Sequence, residues 1–263
     1  MPHLLLLSNS RNPGAGYLEH ARAPIREFLG TAVAEVLFIP FAAVERSDAA
    51  YTSQVAEGLA PLGITVRSVT GTADAIAAVE AATAIVVGGG NTFLLLTRMY
   101  QTALLAAVRR RVLAGVPYVG WSAGANLACP SIRTTNDMPI IEPPSFAALD
   151  LVPFQINPHY TDQVLANHGG ETRDDRIAEF TTVNPGVEVY GLREGSWLAV
   201  EGAAVTLGGS HPMRVFRQGV VPREVGPGVV SVGNVSSAIP RDRSSSCCAS
   251  TVATTDRTAA RNF

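Results

Sequence analysis

The chain has 263 residues, 47% of them hydrophobic and 16% charged, which is length and apolar content for one sizeable core. A formal net charge of −2 and a pI near 6.2 supply no electrostatic attraction for nucleic acid or an anionic membrane, and neither is expected as a partner. Three cysteines, Cys129, Cys247 and Cys248, do not make a disulfide framework.

The elements alternate from the start. Leu4–Ser8 reads as a buried strand. With no basic segment before it and so short an apolar run, it is not a signal peptide, and no later apolar run is long enough to span a bilayer; a cytoplasmic location is expected. Residues 16–29 have helical spacing and stop at Gly30. Strands follow at Val36–Pro40, Ile64–Val69, Ile85–Val87 and Tyr118–Trp121. Helices lie between them at Thr52–Ala60, at Asp74–Ala82 with Asp74 as N-cap, and over Thr92–Ala114, a stretch long enough for two. A further helix starts at Ala123. Apolar strands separated by helices predict a mostly parallel sheet covered on both faces.

After Pro130 the rhythm changes. Residues 131–153 carry four prolines and little periodicity, and predict a long loop across one end of the sheet. Phe154–Ile156 and Val187–Leu192 read as strands flanking a helix at Glu171–Phe180. Ser196–Val200, Ala204–Leu207 and Met213–Arg217 predict a short antiparallel meander. Residues 1–233 are therefore expected to form one domain. Residues 234–263, rich in Ser, Thr, Ala and Arg with few large apolar side chains, are expected to be a disordered tail.

Gly120-Trp121-Ser122-Ala123-Gly124 matches G-x-S-x-G between a predicted strand and a predicted helix. A sharp turn there presents a serine hydroxyl at the carboxyl edge of a sheet, and the helix that follows aims its free N–H groups at the same point. Ser122 is the candidate nucleophile; a chance match in a Gly/Ala/Ser-rich chain is the bland alternative. An oxyanion needs two donors. The Ala123 N–H is one, and the Gly88-Gly89-Gly90-Asn91 turn offers the other. That turn lacks the spacing of a phosphate-binding loop.

A serine hydroxyl needs a base, usually His, steered by a carboxylate. Of the five histidines, His159 follows the strand Phe154–Ile156, so it lies at a strand end as Ser122 does. His3 is terminal, His20 lies on an early helix, His168 in a predicted loop before Gly169-Gly170, and His211 in the meander. Glu194 follows the strand Val187–Leu192. The resulting order, Ser then His then acid, differs from the Ser, acid, His order of an ordinary α/β-hydrolase. Ser122 with an acid between Asp150 and Asp175 and with His211 is a second assignment that the residues alone leave open.

Five motifs occur in order: Gly88-Gly89-Gly90-Asn91-Thr92, the stretch 120–126, Thr134-Thr135-Asn136-Asp137-Met138-Pro139, the stretch 156–159, and Gly170-Glu171-Thr172-Arg173. Together they resemble the peptidase E family, the α-aspartyl dipeptidases, which are related to cyanophycinases. The similarity spans roughly residues 1–233. It implies a class I glutamine-amidotransferase-like α/β fold. Carried over by motif, it implies a Ser122, His159, Glu194 triad with Gly90 and Ala123 as oxyanion donors, and sets His211 aside. The implied reaction is hydrolysis of dipeptides with N-terminal aspartate, the small peptide being the expected partner. No cofactor or metal is expected, and a homodimer is left open.

Selectivity for aspartate calls for a guanidinium and polar donors. Arg173 is the candidate for the side-chain carboxylate, Thr135 and Asn136 for the pocket wall, and Asp137 for the substrate ammonium. Each has a plain structural alternative: Arg173 as a helix-terminal charge, Asp137 as a turn cap. The rivals are a related serine hydrolase of broader or cyanophycin-type specificity, and an inactive binding module on the same fold. A glutamine amidotransferase would carry Cys where this chain has Ser122.

Overall fold

The structure is a computed structural model, and it describes residues 1–163 and 169–233. His168 and the expected tail at 234–263 lie outside the described residues. In chain order the elements are β1 (His3–Leu7), α1 (Arg22–Leu29), β2 (Glu35–Ile39), α2 (Asp48–Leu59), β3 (Thr65–Ser68), α3 (Ala75–Ala81) and β4 (Ile85–Val87). Then follow α4 (Thr92–Gln101), α5 (Leu104–Leu113), β5 (Tyr118–Trp121), α6 (Ala123–Leu127), β6 (Gln155–Pro158), α7 (Arg173–Val183) and β7 (Val189–Leu192). The chain continues with β8 (Ser196–Glu201), β9 (Ala204–Gly209), β10 (Met213–Arg217), β11 (Val220–Val225) and β12 (Gly228–Val230).

An eight-stranded sheet runs in the order β12-β9-β8-β1-β5-β4-β2-β3. From β1 to β3 the pairings are parallel, and from β1 to β12 they are antiparallel. The unbroken apolar strands follow from burial on both faces. Leu4 and Leu6 of β1 face one core with Ile85 and Tyr118, whereas Leu5 and Leu7 face the other with Phe38, Val86 and Trp121. This mixed, mostly parallel sheet with its covering helices is the α/β, class I glutamine-amidotransferase-like fold expected from the resemblance.

Two parts of the architecture differ from a single sheet with an appended meander. Strands β6 and β7 leave the large sheet altogether and pair in parallel within a second sheet, ordered β11-β10-β7-β6. The meander is divided as well: β8 and β9 extend the large sheet, while β10 joins β7. Strand composition alone cannot tell which sheet a segment joins, and the 131–153 loop is long enough to carry the chain from one to the other. The helical spacing over 16–29 also yields less helix than expected. Leu18 adopts a left-handed backbone (φ 56°), so a single turn at Glu19–Ala21 precedes α1.

Caps account for several helix starts. Asp74 accepts from the Ala77 N–H at 2.9 Å, as its position predicted. Thr172 and Asp175 form a reciprocal capping box, which starts α7 at Arg173 rather than at Glu171. The Thr92–Ala114 stretch divides into α4 and α5 around Ala103, which is left-handed at φ 56°.

Candidate active site

Ser122 sits between β5 and α6 with φ 51° and ψ −112°. A non-glycine residue at positive φ carries roughly 1–3 kcal/mol of strain, which the surroundings must impose. They do so by close packing. The Ser122 N–H donates to the Leu7 carbonyl at 3.0 Å, and a Cβ on Gly124 would stand 2.2 Å from the Val87 carbonyl oxygen. Only glycine at 124 lets α6 approach β4 this closely. The first N–H groups of α6 lie outside its own hydrogen-bond ladder and gather beside the serine.

The second sheet brings the base to this point. β6 and β7 are in parallel register, with Pro158 opposite Leu192, so the residues just beyond them emerge side by side. His159 Nε2 lies 3.0 Å from Ser122 Oγ, and His159 Nδ1 lies 2.6 Å from Glu194 Oε1. A proton on Nδ1, shared with Glu194, leaves Nε2 to accept the serine hydroxyl. Glu194 is about half exposed, at 48% of its side-chain surface, so water screens its charge.

The backbone at His159 is itself left-handed, at φ 52°. Ser8 helps hold it. Its fully buried hydroxyl accepts from the His159 N–H at 2.9 Å and donates to the Leu192 carbonyl at 2.7 Å, tying the end of β1 to β6 and β7 of the small sheet. On the other side, Asn136 Nδ2 donates to the Pro158 carbonyl at 2.6 Å while its Oδ1 accepts from Asn157. The turn carrying Glu194 is gripped twice. Asn9 Oδ1 accepts from the Gly195 N–H at 2.8 Å, and Arg193 donates to Glu224, Asp162 and the Pro212 carbonyl. Arg193 holds both carboxyls below their usual range.

Ser122, His159, Gly90 and Asp137 share a cavity of about 310 Å³ with Arg46 and Tyr51. It opens beyond the carboxyl ends of β1, β2, β4 and β5, where open α/β sheets place their ligands. Gly90 has φ 138°, and a Cβ there would come within 2.2 Å of the Ala42 carbonyl oxygen. Glycine alone admits this turn, which carries the Gly90 peptide to the serine.

The other sequence candidates fall as follows. Asp137 lines the cavity, but its Oδ2 is already engaged by the Thr92 N–H at 2.7 Å, the Thr92 hydroxyl and the Thr135 hydroxyl, which ties the proline-rich loop to the start of α4. Thr135 and Asn136 therefore act on neighbouring protein groups. Arg173, the first residue of α7, is half-buried and is not among the residues lining this cavity. His211 lines an adjoining hollow of about 500 Å³ with His159 and Glu194, and no hydrogen bond joins it to Ser122. The acids open to the rival assignment are engaged elsewhere: Asp150 with Arg109, Asp162 with Arg193, Glu171 with Arg176, Asp174 with Tyr160 and Arg214, and Asp175 in the α7 cap.

Sequence reasoning missed Ser8, Asn9 and Arg46. Ser8 and Asn9 end an apolar strand, and Arg46 follows another. A polar residue at the carboxyl end of a buried parallel strand is the signal that singles out Ser8 and Asn9, whereas Arg46, in the loop well past the end of β2, carries no such signal. Among the described residues no group of three or more His, Cys, Asp or Glu side chains is placed to hold a metal ion, and no helix is long and apolar enough to cross a membrane.

The family model described as Peptidase family S51 matches residues 4–208. The chain belongs to peptidase family S51. Proteins named peptidase E are similar to this S51 peptidase along most of its length. That of Streptomyces coelicolor (strain ATCC BAA-471 / A3(2) / M145) is 52% identical over 227 residues, 86% of this chain and 92% of the relative. That of Nostoc sp. (strain PCC 7120 / SAG 25.82 / UTEX 2576) is 46% identical over 224 residues, 85% and 93% respectively. Among solved structures, a peptidase from an acI-B1 Actinobacterium superposes with a TM-score of 0.64 at 16% identity, covering 88% of this chain and 97% of that one. At that identity the likeness speaks for the fold.

Proposed function

We propose that this S51 peptidase is a serine-type dipeptidase that hydrolyses dipeptides with N-terminal aspartate. The observation that carries the serine reading is the unbroken chain Ser122 Oγ–His159–Glu194, at 3.0 and 2.6 Å, with the serine on a positive-φ turn at a helix start. The aspartyl preference rests on the motif resemblance to α-aspartyl dipeptidases, and a cavity bearing one carboxylate and one guanidinium is compatible with it.

The reaction proceeds through an acyl-enzyme. Ser122 Oγ attacks the aspartyl carbonyl carbon as His159 Nε2 takes its proton, and the Gly90 and Ala123 N–H groups receive the oxyanion. The tetrahedral intermediate collapses, the C–N bond breaks, and His159 delivers its proton to the leaving amine. Water, deprotonated by His159, then cleaves the ester and restores Ser122. Glu194 stabilises the imidazolium in both halves. The reading goes with a cytoplasmic location.

The test is hydrolysis of Asp-Leu, Asn-Leu and Ala-Leu by the purified protein beside Ser122→Ala. Cleavage of Asp-Leu alone, lost in the variant, is the expected result. Serine-dependent cleavage of all three removes the aspartyl preference. Full activity in Ser122→Ala removes the mechanism.

A further inference from the structure

The Ser122 cavity contains a cation that the mechanism above does not use. Arg46 lies in the loop after β2, exposed, with its guanidinium carbon 3.6 Å from the centroid of the Tyr51 ring. Tyr51 is a rigid platform. It is fully buried, its hydroxyl donates to the Gly89 carbonyl at 2.9 Å, and it accepts from Trp121 Nε1 at 3.2 Å. Arg46 is thus seated on the wall that also carries the Gly89–Gly90 turn and the residue preceding Ser122.

The guanidinium is held and only partly used. One of its nitrogens donates to Gln54 Oε1, and among the described residues no carboxylate lies within ion-pair distance. A guanidinium held over an aromatic ring by its central carbon still has N–H groups to offer, and such a fork grips a carboxylate with two parallel hydrogen bonds. The anion in the same cavity, Asp137, is bound to Thr92 and Thr135. The Ser122 cavity therefore offers a fixed cation with donors to spare.

We propose that Arg46 binds a carboxylate of the substrate and is a specificity-determining residue of this enzyme. The assignment rests on the peptidase reading of the same cavity. A dipeptide with N-terminal aspartate has two such groups, the aspartyl side chain and the C-terminal carboxylate of the leaving residue, and the chemistry of recognition is the same for both. Arg173, outside the lining of this cavity, is the comparison residue.

The experiment measures kcat and KM of wild type, Arg46→Gln, Arg46→Lys and Arg173→Gln for Asp-Leu, Asn-Leu and the C-terminal amide of Asp-Leu. Calorimetric binding of Asp-Leu is measured in parallel on Ser122→Ala with and without Arg46→Gln. Loss of a charge-assisted pair predicts a KM for Asp-Leu about 10- to 100-fold higher in Arg46→Gln, with kcat changed far less, and partial recovery in Arg46→Lys. If Arg46 grips the C-terminal carboxylate, the wild-type preference for Asp-Leu over its amide collapses in Arg46→Gln while the preference over Asn-Leu survives. If it grips the side chain, the two outcomes exchange. Unchanged KM values and unchanged binding in Arg46→Gln overturn the assignment, most plainly if Arg173→Gln alone raises KM. A wild type that cleaves no dipeptide overturns the peptidase reading, and the calorimetry on Ser122→Ala then decides the Arg46 assignment by itself.

Discussion

Replacing Ser8 with Ala tests whether the contact between the two sheets sets the position of the base. Ser8 is fully buried, and its hydroxyl serves the His159 N–H at 2.9 Å and the Leu192 carbonyl at 2.7 Å. The two losses are unequal. The Leu192 carbonyl keeps a second partner, the Tyr160 N–H at 3.1 Å, whereas the part-buried His159 N–H is left without one. An orphaned buried donor costs about 1–3 kcal/mol, and for this part-buried one the expected loss of stability lies at the lower end, about 1 kcal/mol. For a domain of this size it lowers Tm by roughly 2–4 °C per kcal/mol. Activity is expected to fall further than stability accounts for. His159 is held at φ 52°, a conformation it leaves when that tie is cut, and small misplacements of a reacting group cost about 100-fold in rate. Thermal unfolding and steady-state hydrolysis of Asp-Leu at a temperature where the variant is fully folded give both quantities. The reasoning predicts kcat down about 10- to 100-fold with little change in KM. A lowered Tm with undiminished kcat would show that Ser8 only joins the sheets, and an unchanged Tm would refute the burial argument itself.

Three further predictions follow from other parts of the structure. Glu194→Gln removes a charge 2.6 Å from His159; two charges about 4 Å apart interact by about 1 kcal/mol in water and about 4 at an effective dielectric of 20. The half-exposed Glu194 falls between, so kcat should drop about 10- to 300-fold, less than for Ser122→Ala, as stopped-flow or steady-state assays will show. Asp162 and Glu224 are held below the ordinary carboxylate range, chiefly by hydrogen bonds from Arg193. A depressed folded-state pKa contributes stability above the unfolded value near 4, which is lost as pH falls through the folded one. Urea midpoints should therefore decline below about pH 4 more steeply for wild type than for Arg193→Gln, and parallel curves would contradict the linkage. Cys129 is fully buried, and burial pushes its thiol up to about 12. In a Cys247→Ser, Cys248→Ser background, iodoacetamide at pH 8 should label it only on unfolding, and rapid labelling of the native protein would show the core to be open there.

Much of this molecule was legible in its sequence because the signals are local. The alternating faces of Leu4 to Leu7, the cap at Asp74 and the strand–serine–helix turn at Ser122 are each written in residues a few positions apart. The juxtaposition of Ser122 with His159 and Glu194 is of another kind. It depends on β6 and β7 lying parallel in a second sheet, with Pro158 opposite Leu192, and on Ser8 joining that pair to β1. Short apolar strands carry the same pattern whichever sheet they enter, so pairing between segments more than thirty residues apart is chosen by packing rather than by local composition. The same holds for the cavity. Asp137 reads as a pocket residue or a turn cap, and nothing local marks Arg46, until the fold sets the first against the start of α4 and places the second over Tyr51 beside the nucleophile. Local chemistry determined which residues can react, and tertiary packing decided which of them meet.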